Sequence, residues 1–207
     1  MSDVLLLVHE DEAAHAAQSP AAIAKLIARR ARFTAALRAR GQLRDHGRFR
    51  PSRDGVRVYR DRVEHGPFAR PLAAYCWVDD AAHLVEPYPA LAGDELAVRP
   101  LMKGIPMPDK DRKPGKIFGF VVIGQPAVMD LIDAETQASF PADAFAGGNR
   151  LHAPRRATLD GPFLESKEII GGVFFLRMAS IDDAVRWAAA SRFVVHGALE
   201  IRELWRS

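Results

Sequence analysis

The chain of 207 residues contains a single cysteine, Cys76. One cysteine excludes an internal disulfide and any metal site built from several cysteines. Because Cys76 lies inside the apolar run 73–78, we expect a buried thiol rather than a reactive one. This sparing use of cysteine fits a reducing compartment, and the predicted location is cytoplasmic.

Long apolar runs are also missing. No run approaches the roughly 20 residues that span a bilayer, and residues 1–4 lack the basic start of a signal peptide. With 48% hydrophobic and 27% charged residues, the composition is that of an ordinary globular protein. We therefore expect a soluble chain without a membrane partner.

The common catalytic and cofactor signatures are absent from the sequence. It has no Gly-x-Ser-x-Gly motif, no Walker-type loop and no dinucleotide fingerprint after a predicted strand. The seven histidines are scattered, with no pair at helical ligand spacing. We therefore predict neither a cofactor nor a metal ion.

Positive charge is concentrated in one stretch. Residues 29–62 contain twelve arginines against three aspartates, although the whole chain has a formal net charge of only +3. The arginines are spread over a predicted helix end and a hairpin, with few aromatic residues between them. This pattern favours a solvated face, or ion pairs with the acidic remainder, over a nucleic-acid surface. No nucleic-acid partner is expected.

The first 101 residues are predicted to form one α+β unit. Ser19 suits a helix N-cap, Pro20 the first helical position, and Gly41 the helix end. The turn-forming segment 51–55 indicates a hairpin. The predicted order is a strand over 4–8, a helix over 20–40, a hairpin within 43–63, a strand over 73–78, a short helix after residue 79 and a strand over 96–101.

Residues 102–115, with three prolines and two glycines, are predicted to be a linker, and 116–207 a second unit. This second unit repeats landmarks of the first. Asp160-Gly-Pro-Phe answers His65-Gly-Pro-Phe at an offset of about 95, and the segments 180–184 and 200–202 answer 78–81 and 97–99 at an offset of about 103. Matching landmarks in one order predict a tandem duplication.

The clearest motif runs from Asp160-Gly161-Pro162-Phe163 through Glu165 and Lys167-Glu168 to Gly171-Gly172. It resembles the DGPF subgroup of the YCII-related family, and the first unit is similar to a degenerate copy. The resemblance implies ferredoxin-like α+β units with antiparallel sheets. Two such units in one chain imply sheets packed face to face as a pseudo-dimeric α/β barrel.

Such an architecture needs large side chains between its sheets, because a sheet with helices on one side leaves its other face bare. We expect aromatic residues to fill this space, namely Trp77, Phe118, Phe120, Phe174 and Phe175.

In some YCII relatives a His-Asp pair is thought to transfer protons, and in one branch, which acts on chlorinated aromatic diols, the histidine lies on the first helix. Here the helices predicted over 20–40 and 126–140 contain no histidine. The substitute catalytic candidates are Asp160, His65 and His152. If the two Gly-Pro turns share a cleft, Asp160 and His65 would pair across the repeats; alternatively, Asp160 braces its own turn.

The predicted ligand contacts are His9, Phe163, Glu165, Lys167 and Glu168. The charged members of this set also fit a solvated, ion-paired segment. The sequence favours a small-molecule-binding or non-catalytic module with a cleft between two sheets. The alternative is a cofactor-independent enzyme that uses an Asp-His pair for proton transfer or elimination on a small polar or aromatic substrate. Both readings are compatible with a homodimer.

Overall fold

A computed structural model describes residues 3–79, 88–105, 115–124, 144–151, 169–195 and 197–205 as a mixed α/β chain. The described helices are α1 (Glu12–Ala16), α2 (Pro20–Ala39) and α3 (Ile181–Ala190), with short 3-10 turns at Ser52–Asp54 and Arg192–Val195. None of them has the length and apolar character required to cross a membrane. The strands are β1 (Val4–His9), β2 (Leu43–Arg48), β3 (Val56–Val58), β4 (Val63–His65), β5 (Leu72–Val78), β6 (Glu95–Ile105), β7 (Lys116–Gly124), β8 (Phe145–Leu151), β9 (Ile169–Met178) and β10 (Gly197–Glu203).

The strands form two antiparallel sheets, β2-β5-β1-β6 and β8-β9-β7-β10-β3-β4, which pairing between β6 and β8 joins into one hydrogen-bonded order. At the far side, Phe49 pairs with Leu204 just beyond the ends of β2 and β10. Two backbone bonds flank that bridge, from Arg50 N to the Glu203 carbonyl at 2.9 Å and from Trp205 N to the Arg48 carbonyl at 2.8 Å. The two halves of the chain are therefore hydrogen-bonded to each other at these two places, and at a third where β3 of the first half pairs with β10 of the second.

Alternating side chains of each sheet divide the interior into layers. Leu5 and Leu7 of β1 point into a core that also contains Val121 and Phe175 from the other sheet. The side chains between them on β1, such as Leu6, pack instead beneath α2. On the far sheet, a third cluster packs beneath α3. The described layers are thus α2, the first sheet, a shared core, the second sheet and α3.

The predicted filling of the shared core is right for two of the five aromatic residues. Trp77 and Phe175 lie in that core. Phe118, Phe120 and Phe174 lie on the opposite face, against α3. Val121 of β7 faces the shared core, so Phe118 and Phe120 on the same strand must face away from it. Phe174 on β9 likewise faces away, because its neighbour Phe175 faces the core. The prediction for these three phenylalanines is therefore wrong.

The long helix α2 agrees with its sequence signals. The Ser19 hydroxyl accepts the first-turn bond from Ala22 N at 3.2 Å, with Pro20 at the first position. The buried positions of the helix are Leu26, Arg30, Phe33 and Leu37. One charged residue, Arg30, therefore lies on the stripe that faces the sheet.

The hairpin predicted within 43–63 does not form around the 51–55 turn; the antiparallel pair in this region is β3 with β4, over 56–65. β2 pairs with β5 of the first sheet, whereas β3 pairs with β4 and β10 of the second. The 3-10 turn Ser52–Asp54 leads the chain from one sheet to the other. The predicted turn is therefore present, but the strands on its two sides, β2 and β3, belong to different sheets. β6 also continues through 102–105, which the sequence assigned to the linker. The helices predicted after residues 79 and 126 fall outside the described residues.

Burial of the lone cysteine is confirmed, since Cys76 is only 1% exposed. It packs beneath α2 beside Leu6 and Phe33.

Candidate functional site

A cavity of about 1100 Å³ lies between α2 and the strands β2 and β5, and extends to the residues that follow β10. One wall is apolar and comes mainly from α2. The opposite wall is strongly polar: among the described lining residues, five are arginines and three are glutamates. A cavity that joins an apolar wall to convergent polar groups is the usual form of a small-molecule site.

The polar wall is organised around Arg30, whose guanidinium bridges two acidic residues. It donates through Nη1 to Glu10, directly after β1, and through Nη2 to Asp94 at 3.3 Å. Its Nε donates to the Pro89 carbonyl at 3.0 Å. Arg48 adds a second cation at 2.8 Å from the other oxygen of Glu10. The buried acids are thereby neutralised by arginines from α2 and β2, as buried charges require.

A histidine-aspartate pair lies at the centre of this wall. His15 Nε2 is 2.8 Å from Asp94 Oδ1, and the two side chains are 13% and 0% exposed. A carboxylate only accepts hydrogen bonds, so His15 must carry its proton on Nε2. Nδ1 then presents a lone pair, and it lies 3.9 Å from Glu10 Oε2. Since His15 also lines the cavity, this lone pair is placed to act as a base.

Local structure fixes both members of the pair. Asp11 caps α1 by accepting from Ala14 N at 3.0 Å, and this short helix carries His15. Asp94 closes a tight turn by accepting from Leu91 N at 2.8 Å. Gly93 in that turn has a φ of +97°, a conformation that side chains disfavour. The carboxylate is therefore held rigidly towards His15.

Tyr88 completes this part of the cavity. Its ring meets Phe33 edge-on at 5.4 Å and lies beneath the Arg30 guanidinium at 5.3 Å. Burial raises the pKa of the Tyr88 hydroxyl above its usual 10.0, although Arg30 and Arg48 oppose the shift. Tyr88 is thus a neutral phenol at physiological pH that can donate a hydrogen bond to a bound molecule.

The same cluster has the composition of a metal site. One ligand atom each from Glu10, His15 and Asp94 lie within 4.8 Å of one another. This cluster could not be predicted from the sequence, because its residues are up to 84 positions apart. However, Arg30 donates to both carboxylates, so a guanidinium already supplies the cation at this position.

Two of the eight residues predicted from the sequence lie within the described part of the chain. His65 is exposed on β4, opposite Val56. His9 ends β1, and its Nδ1 lies 3.0 Å from the Arg70 carbonyl. Neither is among the residues that line the cavity. The other six predicted residues fall outside the described ranges: His152, Asp160, Phe163, Glu165, Lys167 and Glu168.

His9 gives a pH prediction. Burial lowers the pKa of His9 below 6.5, and the Arg70 carbonyl and the Glu95 carboxylate oppose the shift only in part. As the pH falls through 6.5, the unfolded chain takes up a proton that folded His9 accepts only at lower pH. The free energy of unfolding should therefore decrease in that window. In urea titrations at pH 7.5 and 5.5, wild type should lose more stability than His9→Gln.

The exposed His65 provides the matched control, and His65→Gln should keep the pH dependence of wild type. Equal losses for wild type and His9→Gln would contradict the prediction.

His15 is the residue that sequence analysis missed. The sequence predicted that the first helix begins at Pro20, whereas His15 lies on the separate helix α1. The available signal was Asp11, a good N-cap, with His15 four residues later on a helical face. Its partner Asp94 is 79 residues away, so only the fold brings the two together.

Both members of the histidine-aspartate pair, His15 and Asp94, belong to the first half of the chain. Residues 119–207 match the YCII-related domain. This YCII-matching part begins within β7 and contributes only the 202–205 end of the cavity wall. No curated protein and no solved structure matches the chain significantly. The family match therefore covers the second half, whereas the site lies mostly in the first.

Proposed function

We propose that the cavity beneath α2 binds a small molecule and that His15, oriented by Asp94, transfers a proton on it without a cofactor. The observation that carries this proposal is the 2.8 Å contact between His15 Nε2 and Asp94 Oδ1 at the cavity wall. His15 Nδ1 removes a proton from one atom of the substrate and returns it to another. Such an isomerisation is balanced in atoms and electrons and needs no co-reactant.

Two carboxylates lie beside the His15 ring, which holds the proton during this transfer. When Nδ1 accepts a proton, the imidazolium lies 2.8 Å from Asp94 and 3.9 Å from Glu10. Proton transfer by a positioned side chain typically contributes on the order of 10²–10⁴ in rate.

Nitrogen NMR of the histidine rings tests the orientation of His15. In wild type, the neutral His15 ring should carry its proton on Nε2, because Asp94 accepts that hydrogen bond. In Asp94→Asn, whose amide can donate as well as accept, the ring should lose this fixed form. An unchanged tautomer in Asp94→Asn would show that Asp94 does not orient the ring.

Chemistry is tested with phenylpyruvate, whose methylene protons exchange with D2O when a base removes them. Wild type should accelerate the exchange, and His15→Gln should lose the acceleration. His46→Gln is the matched control, since His46 lines the same cavity outside the pair. Equal exchange in wild type and His15→Gln would reject His15 as the base.

A non-catalytic binding module is the second candidate. Asp94 also accepts from Leu91 N, and its contact with His15 ties α1 to the 91–94 turn. In that case the pair is a structural link within a ligand-binding wall. A fixed tautomer without any His15-dependent exchange would favour this reading.

We further propose that the chain is a tandem duplication of the DGPF subgroup, with two ferredoxin-like units that form a pseudo-dimeric α/β barrel. Two matching strand orders, β2-β5-β1-β6 and β8-β9-β7-β10, support the duplication. In each set of four strands, the first along the chain lies between the last two: β1 lies between β5 and β6, and β7 lies between β9 and β10. The pairings β6–β8 and Phe49–Leu204 support closure between the units.

Catalysis by Asp160 with His65 or His152 stays a prediction. So do ligand contacts from His9, Phe163, Glu165, Lys167 and Glu168. A cytoplasmic location and a homodimer stay predictions as well.

A further inference from the structure

We infer that the ligand of this cavity is an organic carboxylate with a flat apolar body, and that Arg48 and Arg50 hold its carboxylate group. The inference names the substrate class of the proton-transfer site proposed above and rests on that proposal. Four observations support it: the placement of the two arginines, their unused donors, the apolar residues that line the same cavity, and the approach of Arg48 and His15 to one oxygen of Glu10.

The two arginines project from one short stretch of backbone. Arg48 ends β2 and Arg50 follows two residues later, so their side chains leave the extended chain on the same side. Backbone bonds to Glu203 and Trp205 at 2.9 and 2.8 Å fix this stretch against the end of β10. Both side chains line the cavity and are about 40% exposed, at 42% and 40%. A rigid backbone thus presents two accessible cations to the cavity.

Most donors of these arginines have no partner among the residues that the structure describes. A guanidinium carries five N–H donors. Arg48 uses one nitrogen, Nη2, on Glu10. The buried Nε of Arg50 makes no hydrogen bond within the described chain, although it lies 3.5 Å from Glu203 Oε2. A guanidinium group matches the planar geometry of a carboxylate, which it can bind through two parallel N–H···O bonds.

The apolar part of the ligand has its own surface. Ile23, Leu26 and Ile27 of α2 line the cavity, and Ile27 is 58% exposed. Trp205 also lines the cavity and is 48% exposed, with the Arg50 guanidinium 4.8 Å from its ring centroid. A flat hydrocarbon or aromatic body would cover these side chains while its carboxylate reaches the arginines.

The carboxylate subsite lies close to the base. Arg48 Nη2 and His15 Nδ1 approach the same oxygen of Glu10, at 2.8 and 3.9 Å. A carboxylate bound by Arg48 therefore places the carbon atoms next to it within reach of His15. This arrangement suits the removal of a proton near the acid group.

Binding is tested by calorimetric titration with two matched probes, 2-naphthoate and 2-naphthylmethylammonium, which share a ring system and differ in the sign of charge. Wild type should bind naphthoate and discriminate against the ammonium probe. Arg48→Gln and Arg50→Gln should each weaken naphthoate binding about ten- to a hundredfold, the usual effect of losing a hydrogen bond to a charged group. Arg62→Gln, which removes an exposed arginine outside the cavity, should bind as wild type does.

The binding experiment can fail or succeed independently of the phenylpyruvate exchange experiment. Equal binding of the two probes, no binding of naphthoate, or equal weakening by Arg62→Gln would each overturn the inference. His15→Gln should keep naphthoate affinity within about twofold, since it removes the base but not the arginines. If naphthoate binding depends on Arg48 and Arg50 while phenylpyruvate exchange is absent, the subsite stands and the catalytic role of His15 falls.

Discussion

Replacing Arg30 by methionine is expected to lower the free energy of unfolding by about 3–5 kcal/mol. The guanidinium is buried, and it neutralises both Glu10 and Asp94 while also satisfying the Pro89 carbonyl. Methionine fills similar space without charge, so two buried carboxylates lose their shared cation. The cost of breaking a buried ion pair comes mainly from the charges that are left behind.

Urea unfolding monitored by circular dichroism measures this loss. Arg32→Met is the matched control, because Arg32 lies on the same helix and is exposed. It should change stability by less than about 0.5 kcal/mol. If both variants are equally stable, Arg30 is not the counter-ion of the cluster.

The second large effect concerns the core that the two halves share. Phe175→Ala should cost about 3–5 kcal/mol, the usual range for removing a fully buried phenylalanine. Phe175 is 0% exposed, and its ring lies 4.9 Å from the ring of Tyr75, which belongs to the other sheet. The substitution leaves a cavity between the sheets. Neither sheet can move to fill this cavity without losing its other packing contacts.

The three tryptophans allow the halves to be observed separately. A variant with only Trp77 reports on the shared core from the first sheet, and a variant with only Trp187 reports on α3. In both backgrounds, Phe175→Ala should lower the unfolding midpoint by the same amount, because one core spans both sheets. A shift seen by Trp187 alone would mean that the halves unfold independently. Phe68→Ala, at a half-buried position, is the control.

Strong local signals explain what the sequence predicted well. β1 is a short apolar run bounded by charge, and α2 begins at a serine N-cap followed by proline. Ser180 similarly caps α3 by accepting from Asp183 N at 3.1 Å. In each case the residues that decide the structure lie within a few positions of one another.

Features that depend on distant partners were beyond the sequence. β7 is buried on both faces, so its continuous apolar run does not show which side meets the other sheet. The hairpin prediction failed for a similar reason, since the turn at Ser52–Asp54 is compatible with either sheet. The candidate site needs Asp94 beside His15, and only the pairing of β1 with β6 brings their segments together.

Strand pairing between the halves also has a consequence for self-association. Unpaired strand edges are templates on which another chain can add, the first step towards amyloid-like aggregates. Here β6 is covered by β8, and Phe49 pairs with Leu204 where β2 ends. The last strand of the order, β4, is three residues long and carries the charged Glu64 at its centre. The β4 edge therefore offers little backbone for growth by strand addition, and pairing with β8 removes the edge that β6 would otherwise expose.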